Sequence, residues 1–72
     1  MWTTGKIGEY SYQIKHFEEG SMYGIDDGRI SVLEIRKDEK ILVSYSRGWE
    51  IMPDTEDEET TEIFCMLLAR YN

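Results

Sequence analysis

Apolar and polar residues alternate from Tyr10 to Phe17: Tyr10, Tyr12, Ile14 and His16 fall on one side of an extended chain, and Ser11, Gln13, Lys15 and Phe17 on the other. A period of two is that of a half-buried β-strand. A short stretch around Thr4 to Ile7 is a candidate for another strand before it. Glu18 to Gly28 holds Gly20, Gly24 and Gly28 and reads as a turn-rich loop with at least one position suited to positive φ. Arg29 to Arg36 and Ile41 to Ser46 are rich in Ile, Val and Leu, and the charged run Arg36-Lys37-Asp38-Glu39-Lys40 between them predicts a hairpin. Gly48 closes the last strand or marks a bulge before Trp49, and Pro53 ends the extended region.

Beyond Pro53 the period changes. Asp54 or Thr55 suits an N-cap, Thr55-x-x-Glu58 fits a capping box, and Ile63, Phe64, Leu67, Leu68 and Tyr71 recur at helical spacing. The expected fold is α+β: a three- or four-stranded antiparallel β-meander with one C-terminal amphipathic helix packed on one face. Residues 1–72 form one domain, with 1–53 the sheet region and 54–72 an acidic helix. Laid out at about 100° per residue, the helix centres Ile63, Phe64, Leu67 and Tyr71 on one face. Glu58, Glu62, Cys65 and Ala69 lie opposite, with Met66 beside them. Cys65, Met66 and Ala69 are therefore candidates for an oligomer interface, against the background that scattered exposed apolar residues are normal.

Charge sharpens this picture, because it is not spread evenly. The last nineteen residues carry Asp54, Glu56, Asp57, Glu58, Glu59 and Glu62 against Arg70, a net of −5, whereas the first fifty-three hold nine acids and seven bases. An element this acidic calls for a cationic partner. The overall charge of −7, with eight basic residues dispersed along the chain, argues against direct binding of nucleic acid. A single cysteine excludes an intramolecular disulfide framework and a cysteine-based zinc site, which points to a reducing cytoplasm. No apolar run approaches the ~18 residues of a membrane span, and no basic region leads into an apolar stretch at the start of the chain.

Several segments together resemble a known pattern: Gly24-Ile25-Asp26-Asp27-Gly28-Arg29-Ile30-Ser31-x-Leu33, Tyr45-x-Arg47-Gly48-Trp49-x-x-x-Pro53, an opening Trp2-x-x-Gly5-x-Ile7 and a closing Tyr71-Asn72. The chain resembles a family of small uncharacterised proteins from Gram-positive bacteria, their phages and mobile elements, with Ser46 where that pattern carries an aspartate. The resemblance implies a setting and no particular chemistry.

The candidate chemistry is sparse. Carboxylates along a helix can imitate nucleic-acid phosphates and occupy a basic groove; alternatively, acids in a first turn oppose the helix dipole. The six acids exceed what capping needs, and Asp54, Glu56, Asp57, Glu58, Glu59 and Glu62 are taken as the partner-binding residues. Asp26-Asp27 and the acids from Asp54 to Glu59 lack calcium-loop spacing, so no metal site and no cofactor are expected. His16 reads as a strand histidine, and Cys65 as a poor nucleophile in the C-terminal half of a helix. Arg47-Gly48-Trp49 offers either a stacked surface pair or a corner in which Trp49 closes the core, and the core role is expected of Trp49.

The resulting expectation is a non-enzymatic domain that binds a basic, nucleic-acid-handling protein through its acidic helix, as anti-CRISPR proteins do. The alternative is a module that self-associates, with the acids serving solubility only.

Overall fold

In a computed structural model covering residues 1–72, the chain forms a five-stranded antiparallel sheet followed by one helix. The strands are β1 (Trp2–Ile7), β2 (Tyr10–His16), β3 (Ile30–Lys37), β4 (Lys40–Ser46) and β5 (Trp49–Ile51), and the helix α1 spans Glu58–Tyr71. They lie in the order β1-β2-β3-β4-β5, an uninterrupted meander. The expected α+β class and C-terminal helix hold, but the sheet has five strands and not three or four.

β1 is the candidate strand around Thr4 to Ile7, extended back to Trp2, and β5 is the strand the sequence does not predict. β1 begins at Trp2 and pairs with β2 over its whole length, with Gly5 opposite Tyr12. A side chain at position 5 would meet the Tyr12 ring, so glycine lets that ring lie across the strand. β5 exists because the chain reverses after Ser46: Arg47 adopts φ 59°, and the Ser46 N–H donates to the Gly48 carbonyl at 2.9 Å.

The register sets the two faces of the sheet. Ile14, Leu33 and Tyr45 lie across from one another, as do Tyr12, Ile35 and Val43, and α1 covers this side with Thr60, Ile63 and Leu67. Ile14, Ile30, Leu33, Ile35 and Val43 have no solvent exposure, so one continuous core sits between sheet and helix. No helix is long and apolar enough to cross a membrane.

The helix starts later than the capping box predicts. Asp54 takes the Glu56 N–H on its side chain at 3.0 Å, and the Asp57 N–H returns to the Asp54 carbonyl, so residues 54–57 form a turn. The N-cap is Asp57, which accepts from the Thr60 N–H at 3.2 Å. The Thr60 hydroxyl donates to the other Asp57 oxygen at 2.7 Å and shares a 3.4 Å hydrogen bond with the buried Tyr10 hydroxyl. A cap tied into the core wins over one in solvent.

The loop between β2 and β3 also departs from expectation. Positive φ falls on Asp26 (51°) and Asp27 (58°), around a short 3-10 turn at Ile25–Asp27, and not on its glycines. Those serve close approach: a Cβ on Gly24 would overlap the Gly28 carbonyl, and one on Gly28 would overlap the Asn72 side chain. Asn72 accepts the Ile30 N–H at 2.9 Å and donates to the Ile25 carbonyl at 3.0 Å, locking the end of α1 to the loop.

Candidate functional site

Two of the six predicted acids, Asp57 and Glu59, meet Asp38 and Glu39 where the β3–β4 hairpin approaches the start of α1. Tyr10, Lys37, Asp38, Glu39, Lys40, Leu42, Asp57 and Glu59 line an open hollow of about 670 Å³ there. Lys37 Nζ stands 5.4 Å from the Tyr10 ring centre and 3.7 Å from a Glu9 carboxylate oxygen. The Tyr10 hydroxyl and then Glu9 push the Lys37 ammonium above its ordinary pKa. The Thr60 side chain, and then its backbone N–H, hold Asp57 below the usual carboxylate value.

The six predicted acids therefore divide by task. Asp54 and Asp57 accept hydrogen bonds that form the turn and the cap. Glu56, Glu58, Glu59 and Glu62 are exposed, and their carboxylates take part in no hydrogen bond or salt bridge. Farther along α1, Cys65, Met66 and Ala69 are exposed on the face turned away from the sheet.

Trp49 is not the core residue the sequence predicts. It remains 38% exposed at the rim, with its ring edge-on to Tyr45 at 5.0 Å and tilted against Phe64 at 5.6 Å. β5 is only three residues long and lies at the edge of the sheet, so its first residue is not covered on both sides. Arg47 does not stack on Trp49. Its guanidinium lies 4.3 Å from the ring centre of Tyr23.

His16 sits with its Nε2 2.9 Å from the Thr3 hydroxyl and its ring 5.1 Å from Tyr71. It lines a shallow hollow with Glu18 and Arg29, but the partner of its Nε2 is Thr3 and no nucleophile joins them. No three His, Cys, Asp or Glu side chains converge as a metal-binding set. Tyr12, beneath the end of α1, has its phenol pushed up by burial and by the neighbouring Tyr71 hydroxyl.

The uncovered face of the sheet went unnoticed in the sequence. Trp2, Lys15, Val32 and Ser46 form one cross-strand row on it. Lys15 Nζ lies 5.8 Å from the Trp2 ring centre and 5.5 Å from that of Phe17. Phe17, Tyr23 and Arg47 extend the row around a hollow of about 250 Å³. The alternation already assigned Lys15 and Phe17 to the outer side, whereas Trp2, Tyr23 and Arg47 join them only through strand register and the fold of the loop.

No curated protein and no solved structure matches the chain. A family model does match, over residues 1–72, that of a domain of unknown function, DUF7678, and the chain belongs to that family.

Proposed function

We propose that this is a binding domain with no reaction of its own, whose acidic end docks on the basic surface of a nucleic-acid-handling protein. The observation that carries this reading is the division of labour among the acids. Two suffice for the turn and the cap, and Glu56, Glu58, Glu59 and Glu62 remain exposed with no partner in the chain. Asp38 and Glu39 of the hairpin lie at the same end, interleaved with Lys37 and Lys40. Carboxylates fixed on a helix and a hairpin lose little freedom on meeting a cationic groove, and they steer its approach. The resemblance to proteins of phages and mobile elements makes an inhibitor of a host defence nuclease, of the anti-CRISPR kind, the concrete form of this proposal.

The test is retention of host proteins on tagged protein, in parallel with a variant carrying Glu56→Gln, Glu58→Gln, Glu59→Gln and Glu62→Gln. Asp57 is left intact, so the helix keeps its cap. The expected result is a basic nucleic-acid-binding protein held at low salt, released at high salt and absent from the variant. Identical retention by both proteins overturns the reading. A second reading, self-association in a cytoplasmic dimer through Cys65, Met66 and Ala69, draws on their shared exposed face. Sedimentation of the wild type and of Met66→Glu decides it: a wild type that is monomeric at every concentration removes it.

A further inference from the structure

Four of the eight basic residues lie on or beside one face of the sheet. Lys6, Lys15 and Arg36 point from the strands to the uncovered face of the sheet, opposite in parity to the buried Ile14, Leu33 and Ile35, and Arg47 borders it. Glu34 and Glu50 are the carboxylates on the strands of that face, and Glu18 and Glu19 follow Phe17 in the loop beside it. Glu34 is already paired with Arg36, and Glu50 accepts from the Ser44 hydroxyl. Lys15 and Arg47 have no carboxylate partner.

These two cations lie over exposed rings, Lys15 beside Trp2 and Phe17 and Arg47 over Tyr23, and the three rings are 55%, 47% and 47% exposed. We propose that this end of the open face binds single-stranded nucleic acid, with bases stacking on the three rings and phosphates meeting Lys15 and Arg47. A sheet is suited to this because exposed aromatics on it present their faces to about two or three unpaired bases. Stacking on such rings is tolerant of sequence, and cations beside them hold the backbone. The acids of α1 belong to the opposite side of the sheet, and salt screens exposed charges beyond about 8–10 Å. Glu18 and Glu19 begin the loop after Phe17 and set the acidic border of the site.

Arg47 also makes the turn that leads into β5. It holds φ 59°, a conformation that costs a residue with a Cβ roughly 1–2 kcal/mol, while its neighbour Gly48 does not take positive φ.

The test uses the full chain with Trp49→Phe, so that Trp2 is the only tryptophan, titrated with oligothymidylate and oligouridylate at low salt and at about 150 mM salt. Duplex DNA and heparin are titrated alongside. Single strands should quench Trp2 saturably, and the salt dependence should match about two phosphate contacts. Lys15→Gln with Arg47→Asn, which keeps a residue tolerant of positive φ, should weaken binding at least tenfold, with an unchanged circular dichroism spectrum. Trp2→Leu, read by anisotropy of labelled oligonucleotide, should weaken it by about 5- to 150-fold.

The DNA and RNA strands separate the two sources of the same chemistry. Equal binding of heparin without quenching, binding that survives both variants, or no binding at low salt overturns the proposal. A concentration-dependent dimer abolished by the Lys15 and Arg47 changes, without oligonucleotide binding, assigns the face to a second copy and overturns it as well. Loss of the acidic-end partner leaves this measurement untouched, so the two readings fail separately.

Discussion

The two faces of this sheet are built from the same strands, residue by residue in alternation, yet they obey different rules. The covered face places Ile14, Leu33, Ile35 and Val43 at zero exposure beneath Ile63 and Leu67, and its polar groups are tied: Tyr10 to Thr60, and the Tyr45 hydroxyl to the Tyr23 carbonyl at 2.8 Å. The open face leaves Trp2, Phe17 and Tyr23 partly exposed, with Lys15 and Arg47 over their rings. Packing determines the first face, so substitutions there report on stability. Those on the second should report on binding.

The strongest way to break the contrast is to empty the covered face. Leu33→Ala is expected to cost about 2–5 kcal/mol. A domain of this length has roughly 4–11 kcal/mol in all, so urea unfolding should show a large loss or no folded baseline. Val32→Ala, at the adjacent position on the open face, is half-buried and should cost under about 1 kcal/mol. Equal losses at the two sites would mean that the open face is packed in solution against something else.

Next in size is Asn72→Ala. It leaves the Ile30 N–H and the Ile25 carbonyl without their partner, both partly buried, and should cost about 1–3 kcal/mol. Gly28→Ala should act through the same contact, because the new Cβ displaces the Asn72 side chain. The double variant should then be less than additive in urea unfolding. Full additivity would place the Gly28 effect elsewhere.

This contact also marks where the sequence stops being informative. The period of two located Tyr10–His16, the Ile-, Val- and Leu-rich runs Arg29–Arg36 and Ile41–Ser46 located β3 and β4, and the helical period located the buried face of Glu58–Tyr71, because burial writes itself into local composition and spacing. They did not reveal that Asn72 reaches Ile25 and Ile30 across more than forty residues, since a long-range hydrogen bond leaves no period. β5 was missed for a related reason. Its turn is made by Arg47 at positive φ, where residue preferences favour glycine or asparagine. The acids were legible as a charge run, but their division into cap, turn and free carboxylates depends on Thr60 and Tyr10. The open face was half legible: Lys15 and Phe17 stand at outer positions of the alternation, while Trp2, Tyr23 and Arg47 arrive by register.

Arg47→Gly sharpens the comparison from the open side. Relieving the left-handed conformation should stabilise the fold by up to about 1 kcal/mol, seen as a higher urea midpoint. The same change removes the guanidinium from Tyr23. A more stable protein that binds oligonucleotide less well would separate stability from binding at one residue. A less stable one would show that the contact of the guanidinium with Tyr23 outweighs the backbone strain.

The smallest expected effect lies at the N-cap and is read by pH. Hydrogen bonds from Thr60 depress the Asp57 pKa from its model-compound value of 3.8. A carboxyl whose pKa is lower in the folded than in the unfolded state stabilises the fold above the unfolded value, and this contribution is lost as pH falls through the folded one. Asp57→Asn isolates the cap: asparagine keeps the acceptor oxygen but not the charge. The variant should melt slightly below wild type at pH 7, and the gap should close as pH drops below about 4. A gap independent of pH would mean that Asp57 caps the helix through shape alone, and that its charge belongs with the free carboxylates at the acidic end.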